Sequence, residues 1–95
     1  MSGELDWYAL RDRSPSPRQL SRRQRVILQL VASGAQAREI AELLGITITT
    51  VKNHRTIAYQ KLEAENAPHA VAIAMRLGWL TADDLDEGAR LRGLA

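Results

Sequence analysis

Apolar residues fall into short helical patterns separated by turn residues. Ile27, Leu30 and Val31 recur at i, i+3 and i+4, and Val26 and Leu28 widen the stripe, which predicts a first helix near 22–33. Ser21 stands three residues before Gln24, the spacing at which a hydroxyl accepts from one backbone N–H and the glutamine reaches back to another. Gly34 is placed to end this helix in a left-handed cap. The next stretch, 37–44, sets Ile40, Ala41 and Leu44 on one face and stops at Gly45. Gln36 precedes it where serine or threonine caps best, so fraying, or a cap from another group, is expected there. Gly45-Ile46-Thr47 then turns the chain into a third helix, with Thr47 as its N-cap and Lys61-Leu62 at its end.

A fourth helix, 68–77, opens on Asn66-Ala67-Pro68, where proline loses no hydrogen bond that the first turn needs. Its six successive apolar residues, Ala70 to Met75, leave no polar side, so one face packs on the domain and the other needs a second cover. A second subunit is the simplest cover, and Ala70, Val71, Ile73, Ala74 and Leu77 are the expected dimer contacts. A short fifth helix can follow Thr81, with Asp83 and Asp84 at the end of the helix dipole that favours negative charge. Ser14-Pro15-Ser16-Pro17 cannot continue a helix and marks the end of a tail. The pattern therefore predicts an all-α fold of four main helices: an N-terminal tail over 1–18, a helix-turn-helix domain over 19–79, and a C-terminal extension over 80–95.

Length and composition narrow the function classes. Ninety-five residues, 45% hydrophobic and 25% charged, hold one small domain. The absence of cysteine excludes disulfides, cysteine-ligated metals and thiol chemistry, and fits a reducing, cytosolic setting. The amino end lacks a basic-then-apolar order, and no apolar run approaches the roughly 18 to 20 residues that span a bilayer, so a soluble cytoplasmic protein is expected. His54 and His69 have no partner ligand at metal spacing, and no nucleophile, base and orienting acid share a recognisable frame. Neither a metal, a cofactor nor catalysis is expected.

The net charge of +2 is unevenly divided. Residues 21–62 carry seven basic side chains against Glu39 and Glu42, whereas 63–95 carry six acids against three bases. A basic central block with an acidic flank is the distribution of a small nucleic-acid binder. At 100° per residue, Ala58 and Leu62 lie within about 20° of Val51, so these three face the core. The opposite arc holds Thr49, Lys52, Asn53, Thr56 and Gln60, side chains suited to base edges and phosphates, with no acid between Glu42 and Glu63. A polar arc alone is what any surface helix shows; the three-residue turn and the small Ala41 at the helix crossing make it the second helix of a helix-turn-helix.

These residues resemble the LuxR/FixJ/GerE-type DNA-binding domain of bacterial transcription regulators. The match runs ungapped from Leu20 to Leu62 through LSRRQRVILQLVASG, AREIAELLGIT and TTVKNHRTIAYQKL, and continues more weakly from Asn66 to Gly78. The resemblance implies a DNA contact from Lys52, a phosphate contact from Thr50, base choice by Asn53 and Thr56, and dimerisation through the fourth helix. Gln24, Gln36 and Ala67 depart from the family's usual glutamate, capping hydroxyl and arginine. Such domains are usually fused to a receiver or ligand-binding domain, for which 95 residues have no room, so a stand-alone domain is expected.

Arg22, Arg23 and Arg25, with Lys61, are further phosphate candidates flanking the reading helix, Arg25 less so than Arg23 because a first helix crosses the backbone at only one end, and a solvated basic face is the plainer reading. Arg55 is expected to pack its stem and pair with Glu39 or Glu42, and His54 to be structural. Trp7 and Tyr8 with Leu5 and Leu10, and Trp79 with Leu80, either pack on the fourth helix or form a docking surface for a protein partner. The expected function is sequence-specific, dimeric binding of double-stranded DNA. The rivals are a polymerase-binding domain similar to the promoter-reading part of a sigma factor and a protein-interaction module, for which Leu43 and Ile57 would be the evidence.

Overall fold

A computed structural model of the chain describes residues 20–94; the expectations for the tail 1–18, including Leu5, Trp7, Tyr8 and Leu10, lie outside the described residues. The described residues form five α-helices and no strand: α1 Arg22–Ala32, α2 Ala37–Leu44, α3 Ile48–Leu62, α4 Ala67–Leu77 and α5 Ala82–Leu91.

Local chemistry sets most of the ends. Ser21 Oγ accepts the Gln24 N–H at 3.0 Å while Gln24 Oε1 accepts the Ser21 N–H at 2.9 Å, so two donors that the first turn cannot use internally are satisfied. Thr47, Asn66 and Thr81 cap α3, α4 and α5 in the same way, each accepting from the N–H three residues on. Gln36 makes no side-chain cap at α2. Gly34, Gly45 and Gly78 take positive φ where the chain leaves α1, α2 and α4, whereas α3 ends on Glu63 at φ 54°, a left-handed position that a residue with a Cβ occupies at a cost.

The core has two apolar clusters. Ile27, Leu30, Ala35, Ile40, Ala41 and Val51 pack α1, α2 and the start of α3 together. Leu20, Leu28, Ala58, Leu62, Ala70, Ala74, Trp79 and Leu80 pack α1, the end of α3 and α4. Both α1 and α3 therefore run through both clusters, which locks α3 in rotation along its length.

This packing bears on three expectations. Trp79 and Leu80 are 4% and 1% exposed within the second cluster, so of the two expected alternatives they pack on the fourth helix and offer no docking surface. Ala70 and Ala74 have no exposed surface: their small side chains let α4 approach the domain closely, and neither is open to a second subunit. The short fifth helix expected after Thr81 is present, has ten residues and lies against α1. A Cβ at Gly88 would fall on the Gln29 carbonyl, so only glycine allows the two backbones to come this close.

Candidate nucleic-acid interface

Three inward residues set the phase of α3. Val51, Ala58 and Leu62 are each at most 3% exposed, which turns Thr49, Lys52, Asn53, Thr56, Ile57 and Gln60 to the surface. Thr50 is half-buried at the margin, where its hydroxyl shares a hydrogen bond with Thr47 Oγ1 at 2.8 Å. Among the described residues, no hydrogen bond or ion pair occupies the side chains of Lys52, Asn53, Thr56 or Gln60, so four polar side chains stand together ready for an external partner. The face is one the amphipathic phase alone predicts, apart from Ile57.

The flank is basic. Lys61 donates to Gln24 Oε1 at 2.9 Å, which joins the last turn of α3 to the first turn of α1, where Arg22 and Arg23 are exposed. Lys61 itself remains exposed, so its charge adds to the same edge. Arg25 does not join them: its Nη2 donates to Asp84 Oδ2 at 3.2 Å, which draws it toward α5.

Neither acid of the central block lies on α3. Glu39 accepts two bonds from Arg92, Nε to Oε2 at 2.7 Å and Nη2 to Oε1 at 2.9 Å, and these hold its carboxyl below the usual carboxylate range. This corrects the expected pairing of Arg55 with Glu39 or Glu42. Arg92 reaches Glu39 from beyond α5, and among the described residues Arg55 has no ion-pair partner. Glu42 is exposed on α2.

The two histidines differ. His69 Nδ1 accepts the Glu65 N–H at 3.2 Å and so belongs to the start of α4. His54 is half-buried with its Nδ1 enclosed and unpartnered among the described residues. No group of three metal-binding side chains occurs among the described residues, and no described helix is long and apolar enough to cross a membrane. On α4, Ala72, Met75 and Leu77 are exposed, while half-buried Val71 and Ile73 flank the covered Ala70 and Ala74 on opposite sides and pack against the second cluster.

Asp84 was not foreseen as more than a negative charge near a helix start. It is 8% exposed and accepts from Gln29 Nε2 at 2.6 Å, the Thr81 N–H at 2.8 Å and Arg25. Burial pushes its carboxyl up, but the bonds from Thr81, Arg25 and Gln29 together hold it below the ordinary range. The sequence signal was Thr81-x-x-Asp84, a cap whose acid also points at a neighbouring helix.

Residues 18–74 match the family model described as GerE, bacterial regulatory proteins, luxR family. The chain is 39% identical over 66 residues to the transcriptional regulatory protein YdfI of Bacillus subtilis, covering 70% of this chain and 31% of that protein. It is 34% identical over 80 residues to the response regulatory protein YgeK of Escherichia coli, 84% of this chain and 54% of that one. To the transcriptional activator protein BjaR1 of Bradyrhizobium diazoefficiens it is 44% identical over 62 residues, 65% of this chain and 25% of that one. The chain thus spans between a quarter and about half the length of these relatives. No solved structure matches it significantly.

Proposed function

The chain belongs to the luxR family of bacterial regulatory proteins, and from that premise we propose that it regulates transcription by reading double-stranded DNA with α3 in the major groove. The observation that carries the reading is the unoccupied polar face of α3, with Lys52, Asn53, Thr56 and Gln60 exposed together above a buried Val51–Ala58–Leu62 seam. Lys52, Asn53 and Thr56 face base edges. Thr49 and Thr50, at the positive end of the α3 dipole, face a phosphate. Arg23 and Lys61 hold the backbone on the α1 side, where each neutralised phosphate releases counterions and makes affinity salt-dependent. The mechanism is binding, not catalysis.

The functional unit in this reading is a dimer. The exposed Met75 and Leu77 support it, because large apolar side chains left in water on a small helix favour a second cover. Two copies related by a two-fold axis then read two half-sites of an inverted repeat. Residues 20–92 act as the DNA-binding unit, since α5 packs on α1 and Arg92 holds α2.

A second reading is favoured by Leu43 and Ile48, 43% and 38% exposed around the turn between α2 and α3: a contact with another protein of the transcription machinery. Replacing Lys52 by alanine separates the two. If α3 reads DNA, Lys52→Ala weakens binding by about 1 to 3 kcal/mol with the melting temperature unchanged. Unaltered DNA affinity would remove α3 from the groove and leave the protein-contact reading.

A further inference from the structure

Three large aliphatic side chains of the helix-turn-helix are exposed and packed into neither apolar cluster: Leu43, Ile48 and Ile57. Only one of them borders the polar arc of α3. With Val51 at the core-facing centre, Ile48 falls about 60° away on the inward side, whereas Ile57 falls about 120° away, only some 40° from Asn53. Leu43 is on α2. Ile57 is 41% exposed, and its neighbours one turn away or less on the helix surface are exposed Asn53, Gln60 and Lys61 and half-buried His54.

Ile57 therefore has an unusual position for its chemistry. It stabilises neither cluster, and exposing an isoleucine side chain in a polar face gains nothing in water. Its β-branch restricts χ1 within a helix, so the methyl groups are presented in a fixed direction. One turn separates it from Asn53, about 6 Å along the axis, or roughly two base-pair steps. The major-groove edge of DNA offers one apolar group, the 5-methyl of thymine, and an aliphatic side chain held against it distinguishes T·A from the other pairs without a hydrogen bond.

We infer that Ile57 is a specificity-determining residue that reads a thymine methyl about two base-pair steps from the base contacted by Asn53. The inference rests on the proposal that α3 lies in the groove. It adds that part of the recognition is apolar, so the preferred half-site contains a thymine whose methyl, rather than its hydrogen-bonding edge, is what is recognised.

The test uses the duplex that the full chain selects from a random library, with each thymine replaced in turn by uracil, which removes only the methyl. The wild type is expected to lose about fourfold in affinity at one thymine per half-site, the size expected for one buried methyl. Ile57→Ala and Ile57→Asn are expected to bind thymine and uracil duplexes equally at that position, with unchanged melting temperatures because the side chain supports no core. Uracil sensitivity that survives in both variants, or a wild type indifferent to every replacement, overturns the role of Ile57 while leaving the groove assignment standing. So does an Ile57→Ala variant altered in self-association and not in thymine discrimination, which would assign Ile57 to a protein contact. A wild type that selects no site, with Lys52→Ala also without effect, overturns the groove assignment and this inference with it.

Discussion

Arg92 holds Glu39 through two parallel bonds and, with its remaining Nη1, donates to the Ser33 carbonyl at 2.6 Å. One side chain beyond the last helix thus fixes both the first turn of α2 and the turn that leads into it. At the other end of α5, Asp84 is held by Arg25 and Gln29 of α1. The matched family region ends at residue 74, and α5 begins at Ala82, so the helix that braces the helix-turn-helix lies outside the matched region. The brace matters most at α2, which has no side-chain cap of its own.

Breaking the pair should loosen α2. Arg92→Ala and Glu39→Ala are each expected to lower the melting temperature, and together to lower it by less than the sum of the two. A strictly additive double mutant would mean that the bonds contribute nothing beyond each side chain's separate packing.

Asp84 predicts a pH dependence with a definite sign. Its folded carboxyl lies below the ordinary carboxylate value, so the folded state binds fewer protons than the unfolded state in that range. The stabilisation is complete above the ordinary value of roughly 3.9 and is lost as pH falls through the folded pKa. Glu39 shifts in the same direction and adds to the loss. Urea midpoints measured from pH 7 down to pH 2 should therefore fall in acid. Asp84→Asn should reduce stability by about 1 to 3 kcal/mol at pH 7 and flatten the acid limb. An acid limb as steep in Asp84→Asn as in the wild type would place the titration elsewhere.

Gly88 tests the packing of α5 on α1. A Cβ there meets backbone, which cannot rotate aside. Gly88→Ala would raise helix propensity on a free helix, yet here it is expected to destabilise the domain by about 1 to 3 kcal/mol through overpacking. A stabilised variant would show that α5 does not sit on α1 in solution.

The parts of the fold legible in the sequence are those set by contacts a few residues apart. The caps at Ser21, Thr47, Asn66 and Thr81 and the stop at Gly45 are i to i+3 or single-residue devices, so the helix ends could be read to within a residue or so. The outward arc of α3 followed from the 3.6-residue repeat and one correct choice of core residue, Val51. What could not be read depends on pairs more than fifty residues apart. Arg25 with Asp84, Gln29 with Gly88, and Glu39 with Arg92 join the two ends of the domain, and no periodicity announces them. The helical phase of Arg55 leaves Glu39 and Glu42 both open to it, and sequence separation is a poor guide to which guanidinium arrives. Ala70 and Ala74 were placed with the dimer contacts for a related reason. An all-apolar helix does not disclose which of its faces the chain itself covers.

Whether α3 reads sequence in DNA is decided by selecting binding sites for the purified chain from a random duplex library at about 150 mM salt, where nonspecific phosphate binding is already weakened. An inverted repeat with a fixed half-site spacing is expected to be enriched, and to be lost in Lys52→Ala. Enrichment of no sequence by a folded protein would contradict that role of α3.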